Sequence, residues 1–376
     1  MVASFLILGN PGSKRVVGFQ DALARCGFAP AALLAWRDLL TGHETLGAHL
    51  APEARLRIES PGRDFAVERL LIARGDRGIG DDLPAEAALA LDEDPGRIRH
   101  LAQWQRGWNS VCRELQSALE AHPETRTIGA PRDLVTLFDK TRCHAACIEH
   151  GIRVPPSPGR IGGYDTLRAA MTEHDMPRVF VKPNAGSSAS GVLAYETASG
   201  GREQMTAALE VRQTADGPAL YNNRRIRRYT DHGTIQAVID CLARDGVHVE
   251  RWIPKPSFDG HVWDLRVLTI AGRARHRVAR LSRTPLTNLH LLNRRESVER
   301  LGLAPDVVAA IEATAMQIAA LFSDSLHVGI DILVPRNAAP LVFEVNAFGD
   351  LLPGLEHDGE AVYEAEIKAF MAGGRS

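Results

Sequence analysis

Long apolar segments are absent from this sequence of 376 residues. The longest apolar runs, at residues 5–8 and 29–36, fall far short of the ~18–20 residues that a membrane-spanning helix needs. The first residues, MVASFLILGN, lack the basic segment of a secretory signal and are better interpreted as a first β-strand. The sequence therefore predicts neither a membrane protein nor an exported one.

Cysteine is also scarce. Five cysteines at irregular spacings are too few for a disulfide scaffold, so we expect a reduced, cytoplasmic protein. Cys143 and Cys147 lie one helical turn apart, but no further pair of metal ligands stands near them in the sequence. Because buried free thiols are common, a role in the core is favoured over a metal site.

A large net charge is the third absence. Lys and Arg number 44 and Asp and Glu number 46, which gives a net charge of −2. A near-neutral chain has no overall field to gather nucleic acid or an anionic membrane, so neither is expected as a partner. The basic segment NNRRIRRY at residues 222–229 is a local exception. For it, a solvated or ion-paired surface is favoured over contact with a phosphorylated or acidic substrate.

Two common nucleotide-binding signatures are missing as well. Neither G-x-x-x-x-G-K-[ST] nor G-x-G-x-x-G occurs in the sequence. No Ser-His-Asp or Cys-His arrangement for nucleophilic catalysis stands out either. Any nucleotide site must therefore be built in another way.

What is present is an ordinary globular composition, 45% hydrophobic and 24% charged, in an order that indicates two units. Strands that alternate with helices predict an open α/β domain over residues 1–125. Apolar runs joined by short Gly or Pro turns predict antiparallel sheets in the second unit, residues 126–376. The expected fold class is α/β followed by α+β.

Lys182 ends a predicted strand and is followed by a loop of small residues, NAGSSASG, at residues 184–191. Small residues leave backbone N–H groups accessible to anionic oxygens, and the lysine ammonium could meet a phosphate there. The alternative is a polar hairpin turn with a surface lysine.

A second pattern joins Asp331 on one predicted strand to Glu344 and Asn346 on the next. Strand alternation places Glu344 and Asn346 on one face, with Phe343 and Val345 on the other. Oxygen ligands on one face suit Mg²⁺, which binds through one or two carboxylates together with substrate phosphates. The alternative is an amphipathic strand whose polar face is exposed to solvent.

The turn GNPGSKR at residues 9–15 follows the first predicted strand, where open α/β sheets bind ligands. Either Asn10, Ser13 or Arg15 contacts a substrate other than the nucleotide, or the segment is an ordinary tight turn.

Four features in order give a resemblance to a known family. They are Asp139-Lys140 opening a helix that leads to GIRVPPS, V-K-P with the small-residue loop, E-R-W-I followed by D-L-R, and the paired strands GIDILV and FEVN. Together they resemble the ATP-grasp superfamily of carboxylate–amine ligases, nearest to its glutathione synthetase, D-alanine–D-alanine ligase and RimK-type members. The resemblance covers residues from about 130 to the C-terminus. It implies a central lobe at about 130–250 and a C-terminal, metal-binding lobe at about 251–376, behind an N-terminal domain that contributes to the acceptor site.

The resemblance also implies a role for each matching residue. The ATP phosphates would contact Lys140 and Lys182. A phosphate-covering loop would consist of Gly186, Ser187, Ser188 and Gly191. Adenine would lie against Glu250, Arg251, Trp252 and Ile253, and the ribose would bind Asp264. Arg266 would meet the phosphates or the substrate carboxylate, and Arg280 and Asn288, which belongs to a segment TNLH similar to the RimK-type SNLH, would be further catalytic residues. Mg²⁺, or Mn²⁺ in its place, would be held by Asp331, Glu344 and Asn346.

The RimK-type pattern is not complete. Leu286 stands where an arginine usually precedes Asn288 by two residues, and LLNRR replaces a glycine pair. Either Arg280 or Arg283 would then take the place of that arginine.

The implied activity is ATP-dependent activation of a small-molecule or peptide carboxylate as an acyl phosphate, followed by attack of an amine. Such catalysis relies on positioning and charge neutralisation. By analogy, a homodimer is one option for the assembly. Two alternatives remain open: a small-molecule kinase of the same fold, and an ATP-binding module without turnover.

Overall fold

The computed structural model describes residues 4–80, 82–186, 189–215, 217–336, 339–349 and 352–373. Two residues of the predicted phosphate-covering loop, Ser187 and Ser188, lie outside the described residues. In chain order, the strands are β1 Phe5–Gly9, β2 Ala32–Ala35, β3 Arg55–Ile58, β4 Arg97–Ile98, β5 Arg126–Ile128, β6 Arg178–Pro183, β7 Leu193–Thr197, β8 Glu203–Thr214, β9 Gly217–Tyr229, β10 Val247–Arg251, β11 Ser257–Phe258, β12 His261–Ile270, β13 Arg273–Ser282, β14 Arg294–Glu296, β15 His327–Leu333, β16 Leu341–Asn346, β17 Glu356–His357 and β18 Glu360–Ala361. The α-helices are α1 Lys14–Arg25, α2 Trp36–Thr41, α3 Leu46–His49, α4 Phe65–Arg74, α5 Ala85–Leu89, α6 Leu101–Glu120, α7 Pro131–Leu137, α8 Lys140–Glu149, α9 Tyr164–Glu173, α10 His232–Arg244, α11 Pro305–Leu321 and α12 Val362–Met371.

The first sheet has four parallel strands in the order β2-β1-β3-β5. Strand β1 is buried along its whole length because helices cover both of its faces. Phe5 and Ile7 pack in one cluster with α1 and α12, whereas Leu6 and Leu8 pack in another with α4 and α6. The predicted α/β unit is therefore confirmed. Its last strand, β5, lies just beyond the predicted boundary at residue 125.

The second sheet is antiparallel, in the order β10-β6-β7-β8-β9-β4. Val179 and Val181 of β6 share an apolar cluster with Leu167 of α9 and Ile239 of α10, so these helices cover that face. Alternation along β6 turns Phe180 and Lys182 to the opposite face. This face meets the pocket described below.

The third sheet is also antiparallel, in the order β14-β13-β12-β15-β16, and β11 pairs with the edge of β12. Leu265 and Val267 of β12 pack with Ile311 and Ile318 of α11, which covers one face. Polar residues of β12, β13 and β15 occupy the other face. The antiparallel α+β architecture predicted for the second unit is therefore confirmed.

Several elements differ from the sequence interpretation. The helical spacing of residues 133–149 predicts a single helix, but α7 and α8 are separate. Asp139 lies between them and caps α8, because its Oδ1 accepts a hydrogen bond from the Arg142 N–H at 2.9 Å. The basic segment at residues 222–229 is part of the long β8–β9 hairpin, which the sequence interpretation missed together with α9 and α10.

All five cysteines carry free thiols, and Cys143 and Cys147 are buried within the core. Among the described residues, no helix combines the length and apolar character required to cross a membrane.

Candidate functional site

A pocket lies between the second and third sheets. Its apolar wall includes Phe180, Val192, Ile253, Leu286 and Leu333. Its polar lining consists of Lys182, Glu250, Arg251, Lys255, Arg280, Thr287, Asn288, Asp331 and Glu344. An apolar wall beside a charged one suits a ligand that has both an apolar ring and an anionic group.

Lys182 and Glu250 form a buried ion pair on the side of the second sheet. Lys182 Nζ lies 2.6 Å from Glu250 Oε1 and donates to the Phe343 carbonyl oxygen at 3.0 Å. Burial alone would raise the pKa of Glu250, but Lys182 and His248 outweigh it and hold this pKa at about 2. Glu250 is therefore a carboxylate at neutral pH, and it is already engaged by protein partners.

Asp264 and Asp331 belong to a buried network on the side of the third sheet. Arg280 joins them, because its Nε lies 2.7 Å from Asp264 Oδ1 and its Nη2 lies 2.9 Å from Asp331 Oδ2. Arg266 donates from Nε to Asp331 Oδ1. Burial lowers the pKa of Arg280 and raises that of Asp264, but the charges of Arg280, Asp264, Lys255 and Asp331 reverse both shifts. Asp264 is therefore ionised and Arg280 protonated in this network.

The network corrects the role expected for Asp264. Its side chain is fully buried, and both of its oxygens accept hydrogen bonds, one from Arg280 and the other from Lys255 and Thr287. It does not line the pocket, whereas Asp331 does, so Asp264 is not placed to bind a ribose there. Asp264 instead orients Arg280 and Lys255.

Lys255 is a pocket residue that the sequence interpretation missed. Its Nζ donates to Asp264 Oδ2 at 2.8 Å and to Thr287 Oγ1 at 2.5 Å, and it lies 5.1 Å from the centre of the Phe343 ring. Burial lowers the pKa of Lys255 in spite of Asp264. The only local signal was its place between two prolines, directly after the E-R-W-I segment.

Phe343 and Glu344 both line the pocket, which corrects the prediction that they lie on opposite faces. The reason is an irregularity in the pairing of β15 with β16. Asp331 pairs with Glu344, but the next residue, Ile332, pairs with Val342. One extra residue on β16 breaks the alternation of faces at this point.

The oxygen ligands expected for Mg²⁺ lie together on β15 and β16. Asp331 is directly opposite Glu344, and Gly329 is opposite Asn346. The side-chain Nδ2 of Asn346 is buried and has no hydrogen-bond partner, and the two ends of an amide can exchange. In the described part of the chain, no cluster of three or more His, Cys, Asp or Glu residues could hold a metal alone. Two carboxylates and an amide fit a Mg²⁺ ion that takes its remaining ligands from water and phosphates.

Four positive charges surround the Glu344 carboxylate. Lys140 Nζ lies 3.5 Å from Glu344 Oε1 and donates to the Gly186 carbonyl at 2.9 Å. Burial would raise the pKa of Glu344, but Lys140, Lys182, Arg266 and Arg280 outweigh it and lower this pKa. Glu344 is therefore ionised, as a metal ligand must be.

The remaining predicted residues divide into those at the pocket and those behind it. Arg251, Ile253 and Asn288 line the pocket, whereas the Trp252 ring packs on Phe180 with the ring centroids 5.5 Å apart. Gly191 has a φ of 69°, and a Cβ there would lie 2.8 Å from Pro183 Cγ, so the turn requires glycine.

The two candidate arginines differ in position. Arg280 lines the pocket, while Arg283 is exposed and does not. Arg280 is therefore the arginine placed to meet a ligand.

The turn after β1 has structural contacts. Asn10 Nδ2 donates to the Pro61 carbonyl at 2.9 Å, Ser13 caps α1, and Arg15 donates to the Phe348 carbonyl at 2.8 Å. These contacts account for the turn without a ligand, so a substrate contact here stays a prediction.

No family model and no curated protein matches this chain. Solved structures match it over nearly its whole length. The ATP-grasp ligase PsnB, complexed with minimal precursor, Mg and ADP, is 15% identical, with a TM-score of 0.55 over 98% of this chain and 97% of that one. D-alanine–D-alanine ligase from Bacillus anthracis, complexed with ATP, is 11% identical, with a TM-score of 0.55 over 99% and 97%. The macrocyclase MdnC from Microcystis aeruginosa MRC, bound with precursor peptide MdnA, is 9% identical, with a TM-score of 0.54 over 98% and 99%.

These similarities show that the chain has the ATP-grasp fold, as the ordered motifs implied. They do not support the closer RimK-like assignment. Asn288 itself caps a short 3₁₀ helix, Leu289–Leu291, where its Oδ1 accepts from the His290 N–H at 2.9 Å.

Proposed function

We propose that this protein is an ATP- and Mg²⁺-dependent ligase that activates a carboxylate and joins it to an amine. One observation carries the proposal. Lysines and arginines from both sheets converge on a single pocket with Asp331 and the ionised Glu344, beside an apolar wall. At the pocket and directly around it, ion pairs join five cations to four carboxylates. The cations are Lys140, Lys182, Lys255, Arg266 and Arg280, and the carboxylates are Glu250, Asp264, Asp331 and Glu344. An excess of positive charge suits a polyphosphate.

The proposed residues act by binding and neutralisation. The adenine would lie against Phe180 and Ile253, and Lys140 and Lys182 would contact the phosphates. Asp331, Glu344 and Asn346 would hold Mg²⁺, which when bound neutralises phosphate charge. Gly186 and Gly191 belong to a loop that would cover the phosphates and exclude water.

In the proposed reaction, a substrate carboxylate oxygen attacks the γ-phosphorus of ATP, and the bond from that phosphorus to ADP breaks. The acyl phosphate is then attacked by a neutral amine. The amine loses a proton as the C–N bond forms, and inorganic phosphate leaves. Arg280 is placed to neutralise charge that develops on the transferred phosphoryl group or on the tetrahedral intermediate. The substrates are proposed to be small-molecule or peptide carboxylates and amines, in a cytoplasmic setting that suits the free thiols.

The test is release of ADP and phosphate, measured together with Mg²⁺ across pools of amino acids, dipeptides and small carboxylates. We expect the two products in equal amounts, and only when a carboxylate and an amine are both present. Glu344→Gln should lower the rate roughly 100-fold or more because an anionic metal ligand is lost. Glu356→Gln, at an exposed position, is the matched control and should have no effect.

Other outcomes decide against the ligase. ADP without phosphate would identify a kinase. ATP binding without turnover from any pool would favour a non-catalytic module, and full turnover by Glu344→Gln would remove the proposed metal site.

A further inference from the structure

A histidine stands directly opposite Lys182 on the neighbouring strand. In the antiparallel pair of β6 and β10, Lys182 pairs with His248 and Phe180 pairs with Glu250. Directly paired residues, and residues two apart on one strand, project from the same face of a sheet. His248, Glu250 and Lys182 therefore share the face that meets the pocket.

The Glu250 carboxylate lies between the other two side chains. Its Oε1 is 2.6 Å from Lys182 Nζ, and its Oε2 is 3.5 Å from His248 Nε2. Glu250 is 2% exposed, and Lys182 and His248 are each 5% exposed, so bulk water does not supply a missing partner. Because a buried carboxylate oxygen is costly without a donor, the contact with His248 completes the pairing of Glu250.

His248 also packs against a second histidine, His144. Its ring packs against that of His144, with the centroids 4.8 Å apart and the planes at 53°. His144 Nε2 lies 2.8 Å from the Pro155 carbonyl oxygen, which can only accept, so this nitrogen carries a proton. A chain of contacts thus runs from α8 through both histidines to Glu250 and Lys182.

We infer that His248 is a positioning residue, which acts through Glu250 to hold the Lys182 ammonium in place at the pocket. His248 is not among the described residues that line the pocket. It would therefore set the affinity for the nucleotide without touching it. This inference deepens the proposed function and rests on it for the nucleotide measurement. A second measurement, on Lys182 itself, is independent of any ligand.

The test compares His248→Leu, which has no donor, with His248→Gln, whose amide N–H can donate to Glu250. The exposed His43→Leu is the matched control. Affinity for MgADP is measured by calorimetry. The reactivity of Lys182 in reductive methylation is measured by mass spectrometry without nucleotide, with the exposed Lys14 as internal standard. Thermal melting reports on folding.

We expect His248→Leu to raise the Kd for MgADP roughly 10-fold, as loss of an outer partner does at metal sites. The labelling of Lys182 should rise several-fold, because Glu250 moves to satisfy its unpaired oxygen. His248→Gln should restore both values to within about twofold of the wild type, because its amide N–H can donate to Glu250 in place of the imidazole nitrogen. If His248 had a purely structural role, its substitution would lower the melting temperature, but Lys182 would be labelled equally in His248→Leu and His248→Gln.

Unchanged Kd and unchanged Lys182 labelling in His248→Leu would overturn the inference. A wild-type protein that does not bind MgADP would overturn the proposed function instead, and the labelling difference would still decide the role of His248. If His248→Leu fails to fold, His248→Met, which also lacks a donor, replaces it in both measurements.

Discussion

Asp133, at the start of α7, is a buried carboxylate with a neutral hydrogen-bond partner. It is 9% exposed, and its Oδ2 accepts from Ser325 Oγ at 2.8 Å. Ser325 Oγ in turn accepts from the Ala130 N–H at 3.0 Å. Burial is the main cause that raises the pKa of Asp133, from an ordinary 3.8 to about 6, and nearby Asp324 adds to it. The ionised form is therefore disfavoured in the folded state.

Asp133→Asn should stabilise the protein at pH 7 by on the order of 2 kcal/mol. With a folded pKa of about 6 and an ordinary value of 3.8, the wild type loses stability as the pH rises between these values. The asparagine carries no charge, so its advantage should be complete above pH 6 and vanish below pH 4. Urea unfolding at a series of pH values measures it. Asp324→Asn, at a more exposed carboxylate, should change stability by less than about 0.5 kcal/mol. An advantage for Asp133→Asn that is the same at pH 4 and pH 7 would contradict this account.

At the scale of elements, the sequence predicted features that depend on neighbouring residues of one strand. It missed features that depend on how two strands pair. Lys182 and Glu344 were found because each lies in an apolar strand whose alternation is readable. The extra residue in β16 was not readable, because it exists only relative to its partner strand, and Phe343 was therefore placed on the wrong face. Lys255 was missed for a similar reason, since its partners Asp264 and Thr287 lie 9 and 32 residues away.

The β8–β9 hairpin shows the same limit. Ala207 pairs with Arg227 and Leu209 pairs with Asn222, so four residues of β9 stand opposite one of β8. Because four arginines lie in this region, its sequence shows no alternation of apolar and polar residues, and no strand was predicted there. In the structure, Ile226 from the irregular stretch packs on a cluster that includes Phe180, Leu286 and Leu291. The hairpin thereby joins the second sheet to the loop that forms part of the pocket wall.

Ile226→Ala should weaken this junction and destabilise the protein by about 1–2 kcal/mol, less than for a fully buried isoleucine. The neighbouring Arg225 is exposed, so Arg225→Ala should stay within about 0.5 kcal/mol of the wild type. Urea unfolding of both variants gives the comparison. Equal stability of the two variants would show that the contact of Ile226 with the loop contributes nothing.

At the scale of the whole molecule, one buried arginine ties the first sheet to the C-terminal helix. Arg57 on β3 is 1% exposed, and its guanidinium carbon lies 4.4 Å from the Phe19 ring centroid and 4.7 Å from that of Tyr363. Its Nε lies 2.6 Å from Glu59, and its Nη1 lies 2.5 Å from Glu366 of α12. Glu366 also lies 2.8 Å from His327, which begins strand β15 of the third sheet. This cluster therefore connects the N-terminal domain to the strand that carries Asp331.

Arg57→Ala should destabilise the protein by about 3–5 kcal/mol, because it leaves two buried carboxylates without their cation. Burial would raise the pKa of Glu366, but Arg57 and His327 hold it at about 2. In the wild type, the stability that comes from ionised Glu366 is present above its ordinary pKa of 4.5 and is lost as the pH falls through about 2. Without Arg57 the pKa of Glu366 rises, and Glu366 takes up a proton more readily. The difference in the free energy of unfolding between Arg57→Ala and the wild type should therefore be smaller at pH 4 than at pH 7.

Urea unfolding at both pH values measures this difference in the free energy of unfolding. Arg37→Ala, at an exposed position, is the control and should change that free energy by close to zero. The double variant Arg57→Ala/Glu366→Gln should recover part of the loss at pH 7, because one of the two uncompensated charges is gone. A difference that stays constant with pH and is not reduced in the double variant would mean that Arg57 acts through its packing between the two rings. In that case, the buried charges would not be what joins the N-terminal domain to the rest of the fold.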